Sequence, residues 1–469
     1  MLINFFLKKL TTTTSGFDLL GYLPAQNMTR TNSFLVLLLT FSLNSKLHAQ
    51  TTTDTIVTLR QCVEFALRNQ PAVRQAAIDE QINEKNIKIG LADWLPQITS
   101  ADLYQHYFQG APAAAAADPA ALAAGETLNE FSTLNLQLNQ VLYNNDVLQA
   151  AKAAKYSRSY YKENTQSSQI NVVSDVSKAF FDVLLSQKQL QILNEDIVRL
   201  QRSLKDAYDR YQAGVVDKTD YKQATISLNN SVASRKQTQE AINSKLAYLK
   251  QIMGIARDHN LILSYDSTRY QQEVSIDTLQ LLNVNNRIEY KLLQTQKNLQ
   301  NLNVSYYKWG FLPSLSLQGS YNLNYLSNHF STLYNTSFPY SYAGLTLDIN
   351  LFTGTKRLQN LSKARLQVSR TDLDIENTQN TINTEYVQAL ADYKSNYTNY
   401  RLLDQNVSLA KDVYKVVSLQ YREGIKTYLD VIIAQADLRT AELNYYNALF
   451  QLLSSKIDLE KALGILNVP

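Results

Sequence analysis

Two acids stand at matched places in this sequence. Asp220 and Asp430 each follow a glycine, Gly214 and Gly424, by six residues. Acids so placed suit the first turn of a helix, where they meet the positive end of its dipole, and can be plain solvated residues there. The other residue types that carry chemistry are sparse. Cys62 is the single cysteine, which excludes an intrachain disulfide. His106, His259 and His329 are scattered, so a metal cluster is not expected. No Gly-x-Ser-x-Gly, His-Glu-x-x-His or phosphate-binding glycine loop occurs. The chain therefore does not read as an enzyme, and no cofactor is implied.

The elements that position the two acids are copies of each other. Tyr421-Arg-Glu-Gly-Ile-Lys-Thr-Tyr-Leu-Asp430 lies 210 positions after Tyr211-Gln-Ala-Gly-Val-Val-Asp-Lys-Thr-Asp220. The same offset relates Ala224 to Ala434, Leu228 to Leu438, Ser244 to Ser454 and Gly254 to Gly464. A gap-free register of this kind marks an internal duplication. Long helical patterns enter and leave each glycine, so each half turns a helical hairpin there.

The first 49 residues read as an export signal. Phe34–Leu43 is an apolar run too short to span a membrane as a helix, and Leu47-His48-Ala49 offers small-residue cleavage. Met28 is an alternative start, and a buried strand or helix is the plainer alternative for the apolar run. Without these residues the chain keeps 41 basic and 40 acidic side chains, so charge makes no case for nucleic-acid binding. No later apolar run reaches 18 residues, so no transmembrane helix is expected.

In chain order, residues 50–255 form the first repeat, 256–284 a linker and 285–466 the second repeat. The first repeat has a short helix from Thr58 and a second from Pro71 to about Asp93, broken at Trp94-Leu95-Pro96. Strands are expected at about 97–109 and 127–143, around the low-complexity tract Gly110–Pro119. Leu134-Asn-Leu-Gln-Leu-Asn alternates apolar with amide, which suits a soluble half-buried hairpin or a membrane barrel equally. A helical hairpin follows over about 145–253. Its first arm carries a heptad seam through Val176, Ala179, Val183, Leu190, Leu193, Ile197, Leu200, Leu204, Ala207 and Tyr211. The linker includes the apolar Leu261-Ile-Leu263 and an expected short helix near Leu279–Leu282. The second repeat gives a helix, strands at about 313–326 and 341–352, and a hairpin over about 355–463. Its arms place Leu403, Val407, Ala410, Tyr414, Val417 and Tyr421 before Gly424, and Val431, Ala434, Leu438 and Tyr445 after it.

Four strands cannot close a barrel, since about eight is the smallest that does, and an open sheet leaves two edges to pair with other chains. Several chains sharing one barrel satisfy those edges, and their hairpins would then pack into a hollow cylinder. Tyr104, Tyr107, Phe108, Phe131, Tyr143, Tyr321, Tyr325, Phe330, Tyr334, Phe338, Tyr340, Tyr342 and Phe352 lie in or near the strands. They suit aromatic girdles, though aromatics are favoured in any strand.

This order of elements resembles the TolC-like outer-membrane efflux proteins over nearly the whole chain after the signal. The resemblance rests on the two turn sequences, the two Leu-Pro breaks at Pro96 and Pro313, and the junctions Val-Leu-Tyr143-Asn-Asn and Asn-Leu-Phe352-Thr-Gly. It implies a mainly α fold with a membrane β-barrel: duplicated coiled-coil hairpins plus four strands per chain. A homotrimer would form a twelve-stranded barrel in the outer-membrane lipid and an α-helical tunnel in the periplasm. It also implies the role of a passive exit duct in a tripartite efflux or type I secretion system, with a periplasmic adaptor and an inner-membrane pump of RND or ABC type. At matching positions, Asp430 and Ile433 would form the channel gate. Ile433 stands where a second acid can occur, so the gate would be less cation-selective. Tyr421, Lys426, Thr219 and Asp220 would form an aperture latch, with Lys426 in place of an arginine. Ser203 and Ser418 replace another family pair. The turns at Gly214 and Gly424 would meet the adaptor. Independently of the resemblance, equivalent Asp430 side chains around an axis would favour cations, and burial would raise their pKa. Tyr211 and Tyr421 complete heptad seams, so packing is their simpler duty.

A periplasmic structural or adhesive coiled-coil protein without channel activity would explain the heptads. It would not explain two strand pairs, each followed by a proline-poor helix.

Overall fold

A computed structural model describes residues 55–109, 129–256, 259–264 and 273–469. The export signal at 1–49 and the Gly110–Pro119 tract lie outside the described residues. The elements are β1 (Thr55–Val57), α1 (Leu59–Asn69), α2 (Pro71–Ala92), β2 (Gln97–His106), β3 (Glu130–Tyr143), α3 (Asn145–Gln212) and α4 (Lys218–Met253). After them come β4 (Leu261–Leu263), α5 (Ile288–Trp309), β5 (Ser314–Ser327), β6 (Ser337–Asp348), α6 (Lys356–Arg422) and α7 (Tyr428–Leu463).

Two helices dominate. α3 has 68 residues and α6 has 67, without an internal proline or glycine, so each is about 100 Å long at 1.5 Å per residue. Their return arms α4 and α7 have only 36 residues each. The missing length is supplied by α2 and α5, of 22 residues each, which pack on α3 and α6. α4 ends at Gly254, where φ is +70°, and a Cβ there would lie 2.7 Å from the Asn69 carbonyl oxygen just before α2. α7 ends likewise at Gly464, against Asn286 just before α5. Each long helix is thus opposed by two short ones meeting end to end, and close approach at the junction requires glycine.

The main core lies where these junctions meet. Cys62, Val63 and Ala66 of α1 pack with Phe180, Phe181 and Leu184 of α3, Leu249 and Met253 of α4, and Leu449, Leu452 and Leu459 of α7. Burial pushes the Cys62 thiol up to about 12, so it acts as a small apolar side chain. A parallel ladder of β1 with β4, Thr55 opposite Leu261, closes this region. The apolar Leu261–Leu263 run is therefore a strand. Instead of a helix near Leu279–Leu282 there is an Asp-stabilised turn, with Leu279 N donating to Asp277 Oδ1 at 2.9 Å, and a 3-10 turn at Val284–Asn286. Short side chains that cap their own backbone compete with helix there.

The other four strands form one antiparallel sheet in the order β2-β3-β5-β6. Asn135 stands opposite Asn322 and Leu134 opposite Leu323. Alternation then puts Leu134, Leu136, Leu138, Tyr321 and Leu323 on one face, and Asn135, Gln137, Asn139, Ser320 and Asn322 on the other. On the polar face Asn322 Nδ2 donates to Ser320 Oγ at 2.7 Å, and Asn135 bonds to both. β2 and β6 are edges, which is why Pro339 is tolerated within β6. β6 begins four residues earlier than expected because its ladder with β5 runs on to Ser337 opposite Tyr325. It stops at Asp348, opposite the first residue of β5, Ser314. Among the described residues no helix is long and apolar enough to cross a membrane.

Candidate functional site at the hairpin tips

The same backbone motif makes both turns. Gly214 N donates to Tyr211 O at 3.0 Å and Val215 N to Arg210 O at 3.0 Å; Gly424 N donates to Tyr421 O at 3.1 Å and Ile425 N to Gln420 O at 2.8 Å. Both glycines sit at positive φ, +72° and +76°, with nothing near a would-be Cβ. Their requirement is conformational, and the turns stand open to solvent.

Behind the turns the two hairpins share a small core. Ala207 of α3, Ala224 of α4, Tyr421 of α6, and Tyr428 and Val431 of α7 are buried together. The rings of Tyr421 and Tyr428 are 5.7 Å apart, and the Arg210 guanidinium lies over the Tyr421 ring at 4.6 Å. Burial pushes both phenols above their ordinary pKa, so they stay neutral. Tyr421 Oη has no hydrogen bond among the described residues. Ser203 lies beside Tyr428 Oη without reaching full hydrogen-bond geometry. Sequence reasoning did not single out Tyr428 or Arg210. Tyr428 opens α7 on the far side of the turn from Tyr421, so no helical period in the sequence links the two.

The polar residues divide by hairpin. Asp430 forms a capping box with Thr427: Thr427 Oγ1 donates to Asp430 Oδ2 at 2.7 Å, and Thr427 N to the same oxygen at 3.0 Å. Lys426 Nζ lies 3.7 Å from Asp430 Oδ1. These bonds, the Thr427 hydroxyl first, hold the Asp430 carboxyl below the usual range. Within one chain the helix cap outweighs the slight burial of this residue; the upward shift expected for Asp430 side chains gathered around an axis belongs to the assembled ring. Ile433 is 51% exposed, one turn further along the same side of α7. In the first hairpin Asp217 caps α4, accepting from Thr219 N and Thr219 Oγ1, both at 2.8 Å. Asp220 is pushed up, by burial first and by Asp217 second. Tyr421 and Asp220 are thus gathered at one tip. No hydrogen bond or ion pair joins Thr219 or Asp220 to Tyr421 or Lys426 within the chain. Ser418 is half-buried, and Ser203 turns to Tyr428 instead.

Two paired coiled-coil hairpins ending in one tip, and a four-stranded sheet with an apolar and a polar face, are what a barrel-and-tunnel channel needs. The profile described as outer membrane efflux protein matches residues 63–255 and 287–465. The chain belongs to that family. By membership it is an outer-membrane efflux protein, and the family is one of transport proteins. It is 24% identical over 328 residues to outer membrane protein TolC of Vibrio cholerae, covering 68% of this chain and 72% of that protein. It is 23% identical over 418 residues to outer membrane protein OprJ of Pseudomonas aeruginosa, covering 87% and 84%. Its fold matches the Campylobacter jejuni CmeC outer membrane channel with a TM-score of 0.70 at 18% identity, over 87% of this chain and 86% of that one. It also matches the Vibrio cholerae outer membrane protein VceC at 0.68 and 16% identity, over 87% and 96%. The structural reading as a membrane barrel carried on long helical hairpins, rather than an adhesive coiled coil, agrees with both kinds of likeness.

Proposed function

We propose that this efflux protein works as a homotrimer and forms the exit duct of a tripartite efflux or type I secretion system. Three four-stranded sheets join edge to edge, β6 of one chain with β2 of the next, into a twelve-stranded barrel in the outer-membrane lipid. The hairpins line a tunnel through the periplasm. An inner-membrane pump of RND or ABC type supplies the cargo, and a periplasmic adaptor docks on the turns at Gly214 and Gly424. Residues 1–49 direct export and are removed.

One observation carries this reading: a sheet with two open edges and one apolar face stands on hairpins whose outer faces are also unpartnered. Leu366, Leu373, Val387, Leu402, Leu409 and Val416 of α6 are all exposed in the single chain. Leu366, Leu373 and Val387 repeat at multiples of seven, the spacing that seats against a neighbouring helix. A second copy covers both the edges and this stripe.

At the tip, Asp430 and Ile433 of the three chains narrow the tunnel, and ionised Asp430 favours cations. Tyr421, Lys426, Thr219 and Asp220 hold the tip shut. Since no bond joins the two pairs within one chain, the latch contacts run between chains.

The test is assembly and conductance of the full chain extracted in detergent. A trimer that forms discrete channels in planar lipid bilayers supports the duct. Val387→Glu, which puts charge on the exposed stripe, should lower the trimer fraction. A protein that stays monomeric without detergent and conducts nothing would refute it.

A further inference from the structure

The hairpins meet at a second polar place, away from the turns. Asp196 of α3 is 1% exposed, within a seam of buried Leu193, Ile197 and Leu200. Its carboxylate is met by four groups. Ser231 Oγ of α4 donates to Oδ2 at 2.9 Å. Gln435 Nε2 of α7 donates to Oδ1 at 3.1 Å, and Arg439 Nη1 of α7 to Oδ2 at 3.3 Å. Arg199 Nη2 lies 3.7 Å from Oδ1. Arg439 Nη1 also donates to Ser231 Oγ at 2.9 Å, which closes the cluster. A buried charge is stable only when so satisfied, and one polar group in an apolar helical seam fixes which arrangement the helices adopt.

The surroundings of Asp196 are less complete. Gln435 Oε1, Arg199 Nε and Nη2, and Glu442 Oε2 are buried without a hydrogen bond. Arg199 Nη2 stands almost midway between two carboxylates, 3.7 Å from Asp196 and 3.8 Å from Glu442 of α7. Lys411 Nζ of α6 lies 3.9 Å from the other oxygen of Glu442, Oε1. The cluster therefore holds spare donors on α3 and two spare acceptors on α7. If α7 moves, Arg199 has a second partner within reach.

This cluster is the polar tie that the tip lacks. Asp430 bonds only to Thr427 and Lys426, on its own side of the turn. Five and nine residues further along α7, Gln435 and Arg439 grip the first hairpin; by helix rise that is about 8 and 14 Å from Asp430.

We propose that Asp196 is a positioning residue for the gate: by holding Gln435 and Arg439 it fixes α7 against the first hairpin and sets how far Asp430 and Ile433 can move off the tunnel axis. This rests on the duct reading above. Without the grip, α7 keeps the tyrosine core, its apolar seam and the looser Arg199–Glu442 pair near the tip, and the aperture widens.

Single-channel conductance of purified full-length trimers tests this, alongside thermal stability. Asp196→Asn keeps the shape and removes the charge. Arg439→Gln removes one donor from a more exposed position and decides alone if Asp196→Asn fails to assemble. Leu193→Ala is the packing control on the same seam. Both polar variants should raise conductance about twofold or more by shifting the aperture toward its open form. Asp196→Glu should restore part of the difference, and Leu193→Ala should lower stability without raising conductance. Wild-type conductance in both polar variants, or an equal rise in Leu193→Ala, would overturn the proposal. A wild-type protein that conducts nothing sinks the duct reading with it, whereas a conducting wild type with unmoved variants sinks this proposal alone.

Discussion

Thr427 and Asp430 cap each other across the start of α7. The Thr427 hydroxyl donates to Asp430 Oδ2 at 2.7 Å, and Asp430 N returns a bond to Thr427 Oγ1 at 3.4 Å. The side chain proposed as the gate is therefore also the N3 residue of the helix that carries it. Its position is set by local backbone geometry, and its charge is preserved by the same bonds.

Asp430→Ala removes the ring charge. Block of the channel by multivalent cations should weaken about tenfold or more, and conductance should change. Titration of the block in planar bilayers measures this, and an unaltered block removes Asp430 from the gate.

The cap gives that block a pH dependence. Asp430's folded pKa is depressed, by the Thr427 hydroxyl first. Its interactions with Thr427 and Lys426 are therefore complete above its unfolded value, about 3.9, and are lost only as pH falls through the lower folded value. Cation block should persist below that unfolded value. In Thr427→Ala the block should fade at a higher pH, and the loss of the N-cap should cost about 1 kcal/mol of stability. Identical pH profiles for the two proteins would show that Thr427 does not hold the charge.

Tyr421 separates packing from hydrogen bonding at the latch. Its ring is buried beside Tyr428 under Arg210, while its hydroxyl has no hydrogen-bond partner among the described residues. Tyr421→Ala should cost about 3–5 kcal/mol by analogy with other buried aromatics, and should loosen the tip. Tyr421→Phe keeps the ring, so conductance equal to wild type would assign Tyr421 to packing. A conductance rise in Tyr421→Phe would place its hydroxyl on a neighbouring chain.

The long elements were legible because their signals are periodic and local. Heptad spacing, the absence of proline and glycine, and glycines at matched turns located α3 and α6 to within a residue or two. Strand ends were less so: β2 stops at His106 and β6 starts at Ser337 because a ladder ends where its partner does, which one strand's residues do not encode. The end-to-end junctions of α4 with α2 and α7 with α5 were hidden for the same reason, although Gly254 and Gly464 marked them. At the tip, spacing located Asp430, but the Thr427 bond that holds its carboxyl low within one chain needed coordinates. Asp196 was invisible, since an acid beside a seam position looks like surface until Ser231, Gln435 and Arg439 converge on it from other helices.

Glycines at positive φ should differ in cost according to what surrounds them. At Gly424 an added Cβ meets nothing within 4 Å, so Gly424→Ala should lose only the left-handed backbone penalty, about 1–2 kcal/mol. Gly254→Ala has the same penalty plus a clash 2.7 Å from Asn69 O, and should destabilise more. Thermal unfolding in detergent ranks them, and an equal loss would mean that the α4 to α2 junction yields freely.

Asp220 titrates in the opposite sense to Asp430. Burial first, and Asp217 second, raise its folded pKa above the unfolded one. The resulting stability is fully present below the unfolded value and is lost as pH rises through the folded value. Within one chain, then, ionised Asp220 is a mild burden at neutral pH. Asp220→Asn should raise the melting temperature there, on the order of a degree, and should make little difference near pH 3. The proposed latch runs between chains and would reverse this: if an assembled neighbour pairs with the carboxylate, the same substitution lowers the melting temperature of the trimer at neutral pH. Measuring both proteins at both pH values, as intact trimers, decides whether Asp220 is strained within its own hairpin or bound by the next chain.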